Sequence, residues 1–248
     1  MAKTQACAIL EVNAFEVNQD GVNARSIYST ACLMAHDCVP NTVCCIDAEK
    51  RMSVKAAVAI AAGSMITTSY TFTLDSTQRR RKHLKETKFF DCLCQRCCDS
   101  TELSTHLSSL TCPKCCGGNF VVSEDSLDAT AAWLCMNGCG FRMNCSEVDQ
   151  ILHCLQLKAD SLNYDDVDGL EDFIDKWSKL LHPNNSILIG VKYYLCLLYG
   201  NVPDYLYDEI ADELIQRKID LCNELLAIAQ ILEPGCSKLN GTHFKFHN

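Results

Sequence analysis

Basic charge is scarce in this sequence. Its 22 lysines and arginines stand against 31 aspartates and glutamates, a net charge of −9 over 248 residues. With a pI near 5.2, no broad basic face is expected, which argues against direct binding to nucleic acid. The deficit suits a basic partner instead, such as a lysine-rich peptide segment. Long apolar runs are missing too. The most apolar stretch, residues 187–199, contains Lys192 and is too short to span a bilayer, so no membrane association is expected. Residues 1–10 lack a basic region followed by an apolar core, so no secretory leader is expected. A clean repeat of about 34 residues is also absent.

Cysteine is abundant, at 19 residues. An odd number in a long chain without a leader argues against a disulfide scaffold. It points to a reducing compartment, cytoplasmic or nuclear, with the cysteines as zinc thiolates and buried thiols. Hydrophobic residues make up 48% of the chain, enough for a packed core.

Two cysteine sets have metal spacing. Cys92, Cys94 and Cys97 supply three thiolates from one tight loop, and tetrahedral zinc needs a fourth. Cys38 is the distant candidate, and Cys98 is an alternative to Cys97. The second set is Cys112 and Cys115 followed by Cys135 and Cys139, two knuckles that resemble a zinc ribbon. Cys116 is an alternative to Cys115, and Cys145 is a spare thiol nearby. Gly117, Gly118, Gly138 and Gly140 supply the tight turns. About two zinc ions are expected. Both are structural, because four protein ligands leave no position open for chemistry. A thiolate held on zinc cannot attack anything, so the His36–Cys38 pair is not read as a nucleophile.

The chain pattern changes along its length. Residues 1–74 read as short strands and turns, with strands at 6–17, 52–60 and 65–72 and a turn at 61–64. Residues 76–88 read as a helix whose charge run, Arg79 to Lys82 and Lys85, makes a solvated face. Residues 89–145 hold ten of the cysteines and little periodicity, as a segment ordered by metal does. Helical spacing begins at Ser146, a candidate N-cap with Asp149 three residues on. Further helices are expected at about 170–181, 187–199 and 207–232, punctuated by Pro183, Pro203 and Pro234.

Taken in order, Leu33-Met34-Ala35-His36-Asp37-Cys38-Val39-Pro40-Asn41, then Ser69-Tyr70, Arg79-Arg80 and Phe89-Phe90-Asp91-Cys92-Leu93-Cys94, resemble the C-terminal half of a SET domain with its post-SET zinc. The type is that of the SET-and-MYND (SMYD) protein-lysine methyltransferases. The phrase around Cys38 and the second cysteine set look most like the arthropod SmydA group, which includes the msta proteins. The resemblance covers roughly residues 7–241.

It implies an α+β fold. Residues 1–88 would be the C-terminal part of the SET domain, a partial SET β-fold. Residues 89–145 would be a zinc-stapled post-SET region with the second zinc site. Residues 146–248 would be an all-α, TPR-like array of helical hairpins. It implies that Cys38 completes the first zinc site. Asn41 and His36 would lie in the knot-like crossing, with His36 beside S-adenosylmethionine. Tyr70 would be the catalytic tyrosine, orienting the acceptor amine. Phe90 would stack on the cofactor's adenine. Asn13 would border the cofactor, and Phe15 the lysine channel.

Ala35 departs from the family's asparagine. No glycine-rich GxG loop follows an early strand, no MYND module precedes, and the end after Gly241 does not continue the expected helix. The chain therefore resembles a truncated product, and a monomer is expected. Two functions stay open: lysine methylation dependent on S-adenosylmethionine, and a non-catalytic interaction module involved in transcriptional regulation.

Overall fold

The computed structural model describes residues 2–19, 22–115 and 118–235. Cys116, Gly117 and the chain end from Gly241 lie outside the described residues. Within them, seven α-helices and ten short strands make a mixed α+β chain. It divides into two compact units. One comprises Met1–Thr73, Arg80–Cys94 and Gln230–Asn248; the other comprises Leu74–Arg79 and Gln95–Ala229.

The first unit opens with helix α1, Ala2–Asn13, where strands were expected from residue 6. Alanine, glutamine, leucine and glutamate dominate this stretch, and their helix propensity outweighs the scattered Ile9 and Val12. Extended chain begins only at β1, Phe15–Gln19, which pairs antiparallel with β2, Val22–Ser26. A second hairpin joins β4, Thr42–Ile46, to β5, Met52–Ala56. Its turn is closed by the Asp47 carboxylate, which accepts from Arg51 N at 2.8 Å.

Between these lie two very short strands. β3, Ala35–His36, runs parallel to β6, Thr67–Thr68. The longer strand expected at 65–72 does not form. The Asn41 side chain takes backbone groups that a ladder would use: its Nδ2 donates to Met65 O at 2.9 Å, and its Oδ1 accepts from Thr67 N at 2.8 Å. Asn41 thus pins one segment across another. The turn at 61–64 forms as expected, with Ser64 N donating to Ala61 O and Gly63 at φ +83°.

Helix α2 spans Thr77–Lys88. The charge run on it is not uniformly solvated. Arg80 and Leu84 are fully buried, and Thr77 nearly so. Their three- and four-residue spacing lines one helix face.

The second unit holds an antiparallel sheet of four strands in the order β10-β9-β8-β7: Arg142–Met143, Trp133–Cys135, Phe120–Ser123 and Leu110–Thr111. The cysteine-rich region therefore has an apolar framework that does not depend on metal. Leu110, Val121 and Trp133 are buried and belong to the same apolar core as the helices that follow.

Those helices are α4 (Cys145–Asp160), α5 (Val167–Trp177), α6 (Ser186–Leu198) and α7 (Asp212–Leu232). The cap of α4 is Asn144, not Ser146. The Asn144 side chain accepts from Glu147 N, and the Glu147 carboxylate accepts from Asn144 N at 2.9 Å, a reciprocal capping box. Helix α6 packs against α5 and α4. It buries Ile187, Leu188, Ile189, Val191 and Leu195, as a central helix should.

Candidate functional site: two cysteine centres and a tyrosine–histidine cluster

Both cysteine sets close in space. The sulfurs of Cys38, Cys92, Cys94 and Cys97 all lie within 4.8 Å of one another, and so do those of Cys112, Cys115, Cys135 and Cys139. A zinc–sulfur bond of about 2.3 Å in a tetrahedron sets the sulfur–sulfur edge at about 3.8 Å. Observed edges are 3.7 Å for Cys112–Cys139, 3.7 Å for Cys115–Cys135 and 4.0 Å for Cys38–Cys92. Both donor sets therefore fit a tetrahedral, thiophilic cation such as zinc.

In the first set, position on the short helix α3, Gln95–Cys98, decides between neighbours. Cys97 is fully buried toward the other thiols, while Cys98 is exposed. In the second set, Gly138 and Gly140 follow Cys135 with φ of +65° and +77°, so the knuckle turns through a region that glycine enters without strain. Hydrogen bonding among these thiols, Cys139 first, pushes Cys115 up to about 12. A divalent cation removes that penalty by neutralising the thiolates.

Sequence reasoning missed the cation beside the first centre. Arg80 Nε donates to Cys38 Sγ at 3.3 Å from within the buried face of α2. Four thiolates on a divalent cation leave two net negative charges, and a buried guanidinium answers part of that charge. The readable signal was the spacing of Thr77, Arg80 and Leu84.

The second cluster gathers three of the residues singled out in the sequence. The His36 ring lies 5.3 Å from the Tyr70 ring and 5.8 Å from the Phe90 ring, centroid to centroid. Tyr70 N donates to His36 Nδ1 at 3.0 Å, and His36 Nε2 sits 3.3 Å from Cys38 Sγ. Only a neutral imidazole protonated at Nε2 satisfies both contacts when Cys38 is a thiolate. Burial, with the Arg80 guanidinium adding to it against the opposing pull of Cys94, brings His36 down to about 4, in keeping with that neutral form.

The Tyr70 hydroxyl donates to Met34 O. Burial, then Cys32, raises the Tyr70 phenol above its ordinary range, so it stays protonated near neutrality. Lys88 ends α2 with its ammonium 5.7 Å from the Tyr70 ring centroid.

The other two candidates stand differently. The Asn13 side-chain amide donates to Ile9 O within its own helix, at 3.1 Å. Phe15 makes an edge contact with Tyr28 at 5.7 Å. Neither places its polar or aromatic group on the His36–Tyr70–Phe90 cluster through these contacts.

No family model matches the chain. Two curated proteins do. It is 37% identical over 134 residues to the SET domain-containing protein SmydA-8, isoform B, of Drosophila melanogaster, covering 52% of this chain and 30% of that protein. It is 33% identical over 132 residues to isoform A of the same protein, covering 52% of this chain and 29% of that one. The match thus spans about three-tenths of the length of these relatives. Over about half of its length the chain is SmydA-like, and this similarity supports its assignment to the SET-domain proteins of the SMYD type.

Proposed function

We propose that the chain is a zinc-stapled SET-type module of the protein-lysine methyltransferase class, dependent on S-adenosylmethionine. We further propose that Tyr70 marks the acceptor-lysine site. The observation that carries this reading is the convergence of Tyr70, His36 and Phe90 beside the Asn41 crossing. Tyr70 acts by position. Its protonated hydroxyl is anchored on Met34 O, which fixes the ring against which an amine is oriented.

The cofactor's adenine end fits the residues present. In the parallel pairing, Ala35 N and Asp37 N donate toward β6, at 3.2 Å each to Ile66 O and Thr68 O. The backbone N–H and C=O of the intervening His36 therefore face the other way, a donor and acceptor edge suited to a purine. The half-exposed Phe90 ring supplies a flat apolar face. At the charged end Ala35 brings no side chain. The lost hydrogen bond to a charged group lowers affinity by roughly tenfold to hundredfold, about 1.5–3 kcal/mol. When bound, the cofactor supplies an electrophilic methyl group. The acidic balance of the chain suits a lysine-rich segment as substrate. Cytoplasm and nucleus are the compartments that fit thiol-rich zinc centres.

A second reading has its own observation. In the first unit, Leu33 (81%), Phe89 (75%), Met65 (67%) and Leu93 (67%) are exposed, with Ile66 close behind. As a non-catalytic interaction module, the chain would use such side chains to dock a partner. Titration calorimetry of the zinc-loaded chain with S-adenosylmethionine separates the two. Saturable heat in the micromolar to millimolar range, diminished by Phe90→Ala, supports the methyltransferase reading. Absence of heat at millimolar cofactor removes it and leaves the interaction module.

A further inference from the structure

Lys88 sits where α2 ends, and Phe89 beyond it turns through a left-handed φ of +62°. Its ammonium lies over the Tyr70 ring and donates to Val12 O at 2.6 Å. An aromatic face and a carbonyl acceptor together are what hold a lysine ammonium away from bulk water. Val12 lies in the last turn of α1, where carbonyls lack helical partners and the helix dipole is negative. Both partners therefore select a cation. Other charges close by are Arg25 and Glu11, which pair with each other at 2.7 Å. Burial first, then Arg25, draws Lys88 below the usual lysine range.

We infer that Lys88 is an internal stand-in for the acceptor lysine: it takes the ammonium position beside Tyr70, and an external lysine enters only by displacing it. This rests on the reading of Tyr70 as the acceptor-site tyrosine. Two ammonium groups cannot share one carbonyl and one ring face without repulsion. Lys88 therefore regulates access to the site, and the partner it excludes is a lysine side chain from a basic segment.

The test measures binding, not turnover. A fluorescein-labelled octapeptide with four lysines is titrated against the zinc-loaded chain by anisotropy. Lys88→Met should bind at least tenfold more tightly than the unaltered chain, and adding Tyr70→Ala should abolish that gain. Lys85→Met removes the same charge from the exposed side of α2 and should change affinity less than twofold. Equal, measurable binding by the unaltered chain and Lys88→Met overturns the inference while leaving the Tyr70 reading intact. No binding by either overturns both.

Should Lys88→Met not fold, the unaltered chain carries the test. Acetylation by an N-hydroxysuccinimide ester, read by mass spectrometry, should be slower at Lys88 than at Lys85. With the ester limiting relative to total amine, saturating peptide should raise the ratio of Lys88 to Lys85 acetylation. An unchanged ratio overturns the inference.

Discussion

Arg80 and Cys38 are both fully buried, and the guanidinium Nε of one donates to the sulfur of the other at 3.3 Å. The pair explains how an arginine survives without solvent. Its counter-charge is the thiolate set of the first centre, and each side makes burial of the other tolerable. The same sulfur faces His36, whose other nitrogen receives Tyr70 N. Metal centre and tyrosine cluster therefore share one sulfur–imidazole contact.

Replacing Arg80 with methionine keeps the apolar stem and removes the donor. A hydrogen bond to a charged group is worth about 1.5–3 kcal/mol, so metal affinity at the first centre should fall roughly tenfold to hundredfold. Cobalt titration, followed by thiolate charge-transfer absorption, reads the first centre alone in a Cys135→Ser background and the second alone in a Cys94→Ser background. The second should be unaffected, and equal weakening of both would sink the argument.

The metal content itself is testable. Two zinc ions per chain are expected from the two donor sets. Cys94→Ser and Cys135→Ser should each leave one. The two losses should differ in fluorescence. Trp133 is buried two residues before Cys135 on β9, so loss of the second zinc should expose it and shift emission to the red. Cys94→Ser should leave that emission in place. Metal analysis showing none in unchelated protein would refute both centres.

The centres were readable because their chemistry is written in local spacing. Cys112 and Cys115, or Cys92 and Cys94, announce a metal whatever surrounds them. The choice of Cys97 over Cys98 was not readable, because only the direction of a single helical turn separates a buried thiol from an exposed one. Arg80 was misread because charge runs are usually solvated, and only the companion positions Thr77 and Leu84 betrayed its face. At α4, two capping patterns overlap. Asn144 with Glu147 prevails over Ser146 with Asp149, and the longer glutamate side chain reaches back to the cap N–H. Of segment 6–17, residues 15–17 are extended as expected, and residues 6–13 are helical because their β-branched residues are too few to outweigh the helix formers around them. The convergence of Tyr70, His36 and Phe90 depends on the Asn41 crossing, a long-range feature that residue pattern alone does not disclose.

A buried ion pair organises the chain just after Cys97. Arg96 Nη2 lies 2.9 Å from Glu102 Oε2, with both side chains almost wholly buried. Glu102 Oε1 also accepts from Thr77 N at 3.1 Å and from the Ser108 hydroxyl. Glu102, Leu103 and Ser104 all have left-handed φ values, 53°, 60° and 65°. Such strain costs roughly 1–3 kcal/mol per residue and persists only when surrounding bonds over-determine it. Glu102→Ala takes the counter-charge from a buried guanidinium, which keeps its hydrogen bond to Asp75 O at 3.1 Å, a loss of about 3–5 kcal/mol. Urea unfolding should show a midpoint shift of that size, whereas a surface control such as Glu49→Ala should not. A shift below about 1 kcal/mol would mean that the pair does not hold the turn.

His182 stacks on His106 at 4.6 Å and meets the Phe120 ring edge-on at 4.0 Å. Burial, then His106 and Lys192, lowers the His182 imidazole from its ordinary 6.5 to about 3. His106 is lowered too, by burial, against the opposing pull of Asp99 and Glu102. The unfolded chain takes up protons at these positions as pH falls through about 6.5, while folded His182 resists down to about 3. The stabilisation is therefore complete above pH 6.5 and is lost progressively as pH falls from there toward 3. His182→Asn keeps an acceptor for Asn184 N, which His182 Nδ1 receives at 2.9 Å. The variant should lose less stability than the unaltered chain between about pH 7 and 5, the range where an ordinary histidine titrates. Urea midpoints compared with zinc in excess isolate this effect from metal loss, and identical slopes would show that the stacked pair does not carry the pH response.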